Sequence, residues 1–404
     1  MLKTVKITDF DYMGRGVARI DGIVTFISGA LLDEIVELKI IKSNKKFNEA
    51  ETVKVIKQNE ERVEPICSYY SKCGGCDLMH MNYNAQLEFK KNKVSTTLKK
   101  FAKLDLKVND VISSDEIFNY RNKITFHINN DIGFFKKKTN DFIKIDSCYI
   151  CGERINKLLS QLKKLNLTNI KNITIRCSKN IQELMLIIET NQDIDVSEIK
   201  GVDSIYLLKN DKYILKHGNK NIAEKMNDLI FYISPSAFFQ VNTNQAIKLY
   251  DKVKEYAGLK GTETVLDLYC GTGTIALYLS GSCKKVYGIE INEDAIKDAN
   301  LNKEKNKIKN AEFYCLNANQ FLNKIKDKID VLVVDPPRGG LDTKTINSIL
   351  KLKPSRMVYV SCDVSTLARD LKLLSEEYQI LEVTPVDMFP NTCHVESVCL
   401  LEKK

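Results

Sequence analysis

The chain has 404 residues, of which 44% are hydrophobic and 28% are charged. A soluble chain of this length buries substantial apolar cores and divides into two or three domains. Its first residues lack the apolar stretch of a signal peptide, and no run approaches the roughly eighteen apolar residues that a membrane span requires. The sequence therefore argues against export or membrane insertion and predicts a cytoplasmic location.

Charge and cysteine content narrow the choice of partners. The formal net charge is +9, and the chain contains 12 cysteines. A net positive charge suits a polyanion such as a nucleic acid and steers its approach. Cysteines in a long chain without an export signal indicate metal binding, catalysis or burial rather than a disulfide framework.

Residues 1–58 alternate apolar and polar positions between glycine-containing turns. This pattern predicts short strands that close into a small β-barrel. Residues 13–22, followed by Gly29-Ala30-Leu31 and Glu34, resemble the TRAM domain, an oligonucleotide-binding-like barrel found on RNA-modifying enzymes. The cations of this segment either grip an RNA backbone or form a solvated rim. They are Arg15, Arg19, Lys42, Lys45 and Lys46.

Residues 59–83 and 118–235 are predicted to form a central α+β domain, with strand-rich stretches near 120–135 and 173–189. Residues 84–117, which lie between its two parts, contain a helix that is predicted to pack on the carboxyl-terminal domain, residues 236–404. Apolar residues recur there at helical spacing; they are Leu87, Val94, Leu98, Phe101 and Leu104. We expect the intervening lysines to form a basic outer face; they are Lys90, Lys91, Lys93, Lys99 and Lys100.

Residues 236–404 alternate strands and helices, which predicts a doubly wound, Rossmann-like α/β domain. Residues 264–274 are a buried strand that enters a glycine-rich turn, where a ligand approaches the backbone closely. A second strand ends at Glu290, whose carboxylate is placed to accept both ribose hydroxyls of a nucleoside. A dinucleotide fold is the rival interpretation, but a third glycine is missing and an Asp-Pro-Pro motif follows. The pattern therefore favours S-adenosylmethionine.

Two further strand ends carry the candidate chemistry. Asp335-Pro336-Pro337-Arg338 follows one apolar strand and Cys362 follows the next, so both lie at the same sheet edge. Amino-group methyltransferases carry an aromatic residue where this chain has Arg338, which argues against an exocyclic amine as the target. Carbon 5 of uracil is a poor nucleophile and is activated when a thiolate adds to carbon 6. Cys362 is therefore the candidate nucleophile, although a lone cysteine at a strand end is often a small buried hydrophobe.

The last strand is expected to run antiparallel and to begin, at Glu396, on the same edge of the sheet. Methylated carbon 5 must lose its proton before the thiolate leaves, and a nearby carboxylate accepts that proton. Glu396 is the candidate base. His394 is the rival, and its simpler role is to orient the loop or Glu396.

Together these features resemble the RNA uridine-5-methyltransferase family over essentially the whole chain. The motifs that carry the resemblance are Phe238-Phe239-Gln240-Val241-Asn242, Asp267-Leu268-Tyr269-Cys270-Gly271, Asp335-Pro336-Pro337-Arg338, Ser361-Cys362 with Thr366-Leu367-Ala368-Arg369-Asp370, and His394-Val395-Glu396. The resemblance implies a class I S-adenosylmethionine-dependent enzyme in which Cys362 is the nucleophile and Glu396 removes the carbon-5 proton. It also implies which residues contact the methyl donor, namely Gln240, Tyr269, Glu290 and Asp335. The chain departs from the family at Val364, where many relatives have Pro, and at Gly339, where relatives often have Lys.

Cys67, Cys73 and Cys76 supply three thiols on one tight loop, and a fourth is available from Cys148 or Cys151. Four thiolates suit either zinc or an iron-sulfur cluster, and their spacing does not choose between the two. The family resemblance implies a 4Fe-4S cluster in the central domain, with Cys148 as the fourth ligand. We expect this cluster to pin the central domain, with redox sensing as the alternative.

Three other interpretations compete with this one. A radical S-adenosylmethionine enzyme would use a C-x3-C-x2-C triplet, and a cytosine-5 methyltransferase would present Pro before the cysteine where this chain has Ser361. A non-catalytic RNA-binding protein would have no use for Cys362 and Glu396 together. The expected partner is single-stranded or splayed RNA, with ribosomal RNA favoured over the transfer-RNA T-loop, no membrane partner, and a monomeric enzyme.

Overall fold

The computed structural model describes residues 2–136 and 139–404. Within these ranges the chain forms an amino-terminal barrel, a central sheet and a carboxyl-terminal α/β layer. None of the helices in these ranges is both long enough and apolar enough to cross a membrane.

The amino-terminal part is a six-stranded sheet in the order β1-β5-β6-β4-β3-β2. Its strands are β1 (Leu2–Lys6), β2 (Asp9–Phe10), β3 (Gly16–Ile20), β4 (Ile23–Ser28), β5 (Ile35–Ser43) and β6 (Phe47–Lys57). Ile7, Ile27, Val36 and Leu38 fill the interior, as the alternation of apolar positions predicts. Gly16 leaves room for them, because a Cβ at this position would lie 2.9 Å from the Ile7 Cγ2 atom. The predicted amino-terminal barrel domain is confirmed.

Two of the cations on this barrel are engaged within it. Arg15 forms salt bridges with Asp11 at 2.7 Å and Glu49 at 3.4 Å, and its guanidinium carbon lies 4.7 Å from the centre of the Phe26 ring. Arg19 donates to the Gly22 carbonyl at 3.1 Å. Arg15 therefore stiffens the barrel, which leaves the exposed lysines of the predicted RNA grip as its candidate contacts.

Residues 59–82 lead into helix α1 (Tyr83–Thr97), which continues as a π-helical turn over Leu98–Ala102. The Asn82 side chain caps the helix by accepting from the Ala85 amide. The predicted basic outer face is wrong for two of its lysines. Lys90 is completely buried and donates to Asp387 at 2.5 Å and to the Phe389 carbonyl at 3.0 Å. Lys93 donates to the Cys393 carbonyl at 2.7 Å. These two lysines therefore bind residues 387–393 instead of facing solvent.

A seven-stranded sheet in the order β13-β12-β11-β10-β7-β8-β9 forms the middle of the molecule. Its elements are β7 (Lys123–Ile128), β8 (Ile132–Phe135), β9 (Phe142–Lys144), α2 (Glu153–Leu162), β10 (Ile170–Cys177), β11 (Leu184–Thr190), β12 (Ser204–Lys209) and β13 (Lys212–Gly218). Helix α2 buries Ile155 and Leu159 against the Ile173 and Ile175 side chains of β10. This arrangement of one helix on a mixed sheet is the α+β architecture that the sequence predicts.

A hairpin of β14 (Ile222–Met226) and β15 (Leu229–Ile233) follows, and then helix α3 (Thr243–Ala257). The prediction placed the hairpin with the central domain. Phe231 and Ile233 lie in one apolar cluster with Leu249 of α3 and Val265 of the carboxyl-terminal sheet, and the same cluster contains Met185 and Tyr206 of the central sheet. The hairpin thus packs between the central sheet and the carboxyl-terminal layer.

The carboxyl-terminal layer is a seven-stranded sheet in the order β18-β17-β16-β19-β20-β22-β21. Its elements are β16 (Thr264–Leu268), α4 (Thr274–Ser280), β17 (Lys285–Glu290), α5 (Glu293–Lys305), β18 (Ala311–Cys315), α6 (Ala318–Leu322), β19 (Val331–Val334), α7 (Thr343–Leu352), β20 (Arg356–Ser361), α8 (Val364–Leu374), β21 (Tyr378–Val386) and β22 (Glu396–Lys403). Strands β16 to β20 pair in parallel, whereas β22 is antiparallel to β20. The predicted doubly wound domain with an antiparallel last strand is confirmed, and strand ends converge at one edge.

Candidate active site

Asp335, Cys362 and Glu396 meet at the edge of the carboxyl-terminal sheet. Asp335 directly follows β19 and Cys362 directly follows β20, the neighbouring parallel strand. Ser361 pairs with Ser397 across the antiparallel β20 and β22. Continuing this register by one residue, forward on β20 and backward on β22, places Cys362 beside Glu396. The structure therefore brings together the predicted nucleophile, the predicted base and one predicted donor contact.

The surroundings of these groups shift their titration strongly. Burial raises the pKa of Glu396 to about 8, and the Asp335 carboxylate adds to this shift while Arg338 opposes it. Burial raises the pKa of Asp335 to about 7. Burial, followed by Glu396 and Asp335, raises the pKa of the Cys362 thiol to about 12, and Arg338 again opposes the shift. Arg338 supplies a positive charge that opposes the shifts of Glu396 and Cys362, and the carboxyl groups near Cys362 hold protons unusually well.

The backbone around Cys362 is held on both sides. The Asp363 side chain caps helix α8 by accepting from the Ser365 amide at 2.9 Å and the Thr366 amide at 3.0 Å. Ser361 Oγ donates to the Asp363 carbonyl at 3.0 Å. The absence of Pro at Val364, expected to loosen this turn, is offset by the cap and by the serine hydroxyl.

The loop after Asp335 is tied to helix α8. Thr366 Oγ1 donates to the Arg338 carbonyl at 3.2 Å, and Arg369 donates to the carbonyls of Gly339 and Leu341, both at 2.9 Å. The buried Asp370 carboxylate accepts from the Leu341 amide at 2.8 Å and the Tyr359 hydroxyl at 2.7 Å. The sequence marks residues 366–370 only as part of a family motif; their role as clamps on the loop comes from the structure.

The glycine-rich turn lies between β16 and α4. Tyr269, Gly271 and Gly273 have positive φ angles of 66°, 53° and 77°. A Cβ at Gly271 would meet nothing within 4 Å, whereas one at Gly273 would lie 2.7 Å from the Phe313 ring. The turn is therefore packed from below at Gly273 and open above at Gly271, as a ligand-binding turn requires.

Carboxyl groups crowd beneath this turn. Asp267 Oδ2 accepts from the Ala276 amide at 3.0 Å, while its buried Oδ1 finds no hydrogen-bond partner in the described part of the chain. Burial, Asp335 and Glu290 all raise the pKa of Asp267. A buried group of acids that repel one another is complementary to a positively charged ligand, and the sulfonium of S-adenosylmethionine fits this requirement.

Glu290 ends β17 beside the turn. Its Oε2 accepts from the Gly271 amide at 3.2 Å, and its Oε1 accepts from the Ile291 amide at 2.7 Å and the Asn292 amide at 2.9 Å. An open cleft of about 850 Å³ lies next to it. The cleft is lined by Ile291, Cys315, Leu316, Asn317, Asn319, Gln320, Asp342, Thr343 and Lys344.

Ile291 and Asn317 in this cleft were missed from the sequence. Ile291 is 69% exposed, which leaves an apolar surface free beside the Glu290 carboxylate. Asn317 caps α6 directly beyond β18. Their positions after two successive parallel strands were the signal that could have identified them.

Gln240 and its neighbours form another wall. Gln240 is buried, and its carbonyl accepts from the Asn122 amide group at 3.0 Å. Phe239 is buried, whereas Phe238 is 70% exposed. The Asn242 amide group donates to the Met388 carbonyl at 3.2 Å, which joins this wall to the loop that leads to Glu396.

The loop between β21 and β22 is fixed by residues far away in sequence. Besides Lys90 on Asp387, Gln86 accepts from the Asn391 amide at 2.8 Å and Tyr120 donates to the Pro390 carbonyl at 3.0 Å. His394 is exposed, and its ring stacks edge-on against Phe389 at 6.2 Å. The contacts of Gln86, Lys90 and Tyr120 were not foreseen, because their partners lie about three hundred residues along the chain.

The cysteine loops face each other. The Tyr69 hydroxyl donates to Asp146 at 3.0 Å and accepts from the Asp146 amide at 3.0 Å, which joins residues 67–76 to residues 145–151. Burial raises the pKa values of Cys67, Cys73 and Cys76, and in each case the Cys148 thiolate adds to the shift. No group of three or more His, Cys, Asp or Glu among residues 2–136 and 139–404 is arranged to hold a metal ion. The predicted 4Fe-4S cluster and iron-sulfur domain are therefore not confirmed.

Comparisons with known proteins agree with this geometry. The family model described as tRNA (uracil-5-)-methyltransferase matches residues 166–404, and the TRAM domain model matches residues 3–53. An uncharacterized RNA methyltransferase of Clostridium acetobutylicum is 38% identical, with 99% of this chain and 96% of the relative covered. An uncharacterized RNA methyltransferase of Staphylococcus aureus is also 38% identical, with 100% of this chain and 98% of the relative covered.

A solved structure resembles the whole chain. It is the Pyrococcus abyssi tRNA (uracil-54, C5)-methyltransferase in complex with S-adenosyl-L-homocysteine, at 30% identity and a TM-score of 0.82, with 99% of this chain and 100% of the other covered. The family model, the full-length relatives and this neighbour point to the same class of enzyme. The chain belongs to the S-adenosylmethionine-dependent RNA (uracil-5-)-methyltransferase family.

Proposed function

We propose that the protein methylates carbon 5 of a specific uridine in RNA through a covalent adduct between Cys362 and carbon 6. The observation that carries this proposal is the strand register that places Cys362 beside Glu396, with Asp335 on the neighbouring strand. When bound, S-adenosylmethionine supplies the methyl group and a positive charge. The chain's own residues supply the nucleophile, the base and the positioning.

Cys362 performs the first step. Its thiol releases a proton to solvent, to which the side chain is partly exposed, and the thiolate sulfur bonds to carbon 6 of the uracil. The carbon 5–carbon 6 double bond opens, and the electrons that it releases make carbon 5 a nucleophile. The positive charge of Arg338 favours the thiolate. The positive charge of the methyl donor, when it is bound near Asp335, would favour the thiolate further.

Glu396 performs the last step. After methyl transfer, its carboxylate takes the proton from carbon 5, the sulfur–carbon 6 bond breaks and the double bond forms again. A pKa near 8 makes Glu396 a stronger base than an ordinary carboxylate, and such a pKa lies close to the operating pH of an enzyme. The carboxylate is buried at the beginning of β22, so its position is set by the sheet.

We propose that the methyl donor lies over the glycine-rich turn. Tyr269 and Glu290 border it on one side, Asp335 on another and Gln240 closes it. The open space above Gly271 and the acid cluster beneath it support this placement. The cleft beyond Glu290, with the exposed Ile291, extends the site for an apolar, planar group such as adenine.

Ribosomal RNA is the first candidate substrate, as expected from the sequence. A transfer-RNA T-loop uridine is the second candidate, and the observation that favours it is the full-length similarity to the Pyrococcus abyssi enzyme that modifies uracil 54 of tRNA. Both substrates require a uridine that leaves its stack to reach Cys362.

Cys67, Cys73, Cys76 and Cys148 are proposed to hold a 4Fe-4S cluster. The Cys148 thiolate contributes to the raised pKa of each of the other three thiols. This supports the proposal, because it indicates that the three lie within electrostatic reach of Cys148. Ligands of a cubane bind four different iron atoms and so do not converge on one point, unlike the ligands of a single ion. The cluster would have a structural role, away from Cys362.

The test uses the purified protein, labelled methyl donor and total RNA from cells that lack the gene. We expect 5-methyluridine in ribosomal RNA, with no product from the Cys362→Ala variant and nearly normal product from Cys283→Ala, whose thiol lies at the opposite edge of the sheet. Label in transfer RNA instead would move the proposal to its second substrate. Label on cytosine, or full activity of Cys362→Ala, would overturn it.

A further inference from the structure

Three cations lie together where the central sheet meets the wall that contains Gln240. Lys123 is the first residue of β7, Arg121 lies two residues before it, and Arg176 lies near the end of β10. The register of these antiparallel strands pairs Arg176 directly with Lys123. Like charges opposite each other on neighbouring strands destabilise a sheet, so this arrangement needs an explanation.

Lys123 is the unusual member of this group. It is half-buried, and its ammonium makes no salt bridge or hydrogen bond with any residue in the two described ranges. Burial lowers the pKa of Lys123 to about 8, and the nearby Arg176 and Arg121 guanidinium groups add to the shift. No acid in the described part of the chain counteracts this shift, so these residues leave the charge of Lys123 uncompensated.

The two arginines are already committed to neighbouring backbone. Arg176 is buried and donates to the Ala237 carbonyl at 2.7 Å and the Ser234 carbonyl at 3.4 Å. Arg121 donates through Nε to the Lys123 carbonyl at 2.9 Å. These bonds fix both guanidinium groups beside Lys123, where they add positive potential while the lysine ammonium stays available.

The cluster also lies against the proposed active site. Asn122, between Arg121 and Lys123, is uncharged. Its side-chain amide donates to the Gln240 carbonyl at 3.0 Å and to Thr243 Oγ1 at 3.0 Å. Its own amide donates to the Val241 carbonyl at 2.8 Å. Arg176 holds the carbonyl of Ala237, the residue before the exposed Phe238. The cations are thus attached to the segment that borders the methyl-donor site.

We propose that Lys123, oriented by Arg121 and Arg176, binds a backbone phosphate of the RNA next to the uridine that enters the active site. This inference rests on the proposed function for its ligand, RNA. A phosphate supplies the missing negative charge and accepts from the ammonium, and its binding releases counterions from the RNA. A contact fixed to the Gln240 segment positions the strand without reading its sequence.

The experiment measures binding of the full-length protein to a fluorescein-labelled uridine oligonucleotide by fluorescence anisotropy over a range of salt concentrations. For Lys123→Ala we expect affinity to fall roughly tenfold or more, as for loss of a charge-assisted contact. The slope of log affinity against log salt should decrease by about 0.7, the value for one phosphate on a single strand. Lys123→Arg should retain most of the affinity.

Lys171→Ala is the matched control. Lys171 is an exposed lysine at the other end of β10, so its removal costs the same charge in the same sheet away from the cluster. It should leave affinity and salt slope unchanged. The Tm of Lys123→Ala should equal or exceed that of the unchanged protein, because the substitution relieves the repulsion from Arg176.

Two outcomes would overturn this inference. The first is that Lys123→Ala binds with the affinity and salt slope of the unchanged protein. The second is that Lys171→Ala loses as much affinity as Lys123→Ala, which would mean a diffuse surface charge. Binding is measured without methyl transfer, so a failure of the proposed reaction would show separately, as an absence of 5-methyluridine while the Lys123 dependence of binding persists.

Discussion

The sheet edge at Cys362 and the cysteine loops at Cys67–Cys76 and Cys148 both place thiols near other ionisable groups, but they do so by different means. At the sheet edge, strand pairing fixes which residues are neighbours. Between the cysteine loops, the Tyr69 and Asp146 hydrogen bonds do most of the joining. Where register sets geometry, a sequence pattern predicts neighbours directly; where loops set it, the pattern predicts only that the residues come together.

The largest expected effect lies at the sheet edge. Glu396→Gln keeps the shape of the side chain but removes the base, so methylation should fall by about 10² to 10⁴ fold. Because the adduct would still form, a covalent protein–RNA species should accumulate on a denaturing gel. Glu402→Gln, at the far end of the same strand and paired with Arg356, should remain active. A Glu396→Gln enzyme with normal turnover would assign the base elsewhere, with His394 as the next candidate.

The second effect concerns the loop that leads to Glu396. Lys90 and Asp387 are both fully buried and lie 2.5 Å apart, and burial lowers the pKa of Lys90 while Asp387 opposes the shift. Lys90→Met removes one partner of a buried pair, which should cost about 3–5 kcal/mol of unfolding free energy. Denaturant unfolding would measure this loss.

Lys91→Met provides the control on the same helix. Lys91 pairs with the exposed Asp110 at 2.7 Å, and its replacement should not change stability measurably. Equal stability of the Lys90→Met protein and the unchanged protein would show that the loop is held by Gln86 and Tyr120 without the ion pair. In that case side-chain hydrogen bonds would hold the loop that leads to Glu396, as they join the cysteine loops, which would narrow the contrast between the two regions.

A smaller effect comes from the protonation of Glu396. Its folded pKa of about 8 lies above its ordinary value of 4.5, so the folded state binds the proton more tightly than the unfolded state. Stability from this group is therefore full below pH 4.5 and is lost as pH rises towards 8. Glu396→Gln should raise Tm more at the upper end of this window than at its lower end. A gain that did not depend on pH would mean that Glu396 does not titrate there.

Sequence patterns predicted the parts of the fold that depend on periodicity and on strand order. The doubly wound domain, the antiparallel last strand and the meeting of Asp335, Cys362 and Glu396 all follow from such patterns. Lys90 was misassigned to an exposed face, because helical spacing does not reveal that Asp387, a buried residue distant in sequence, pairs with it. The clamps at Arg369 and Asp370 escaped prediction for the same reason, since their bonds reach carbonyls and amides of a distant loop.

The smallest expected effect distinguishes two neighbouring cysteines of the cysteine loops, Cys148 and Cys151. Cys148 raises the pKa of all three other candidate ligands, whereas Cys151 is completely buried and its side chain lowers the pKa of Cys148. Cys148→Ser should therefore lose the iron of anaerobically purified protein, and Cys151→Ser should retain it. The two variants carry the same substitution three positions apart, so general instability would affect both. Loss of iron from Cys151→Ser alone would reverse the assignment, and an iron-free unchanged protein would remove the cluster altogether. Retention by Cys151→Ser would show that loops held by a few side-chain bonds select one of two neighbouring thiols as firmly as strand register selects Cys362.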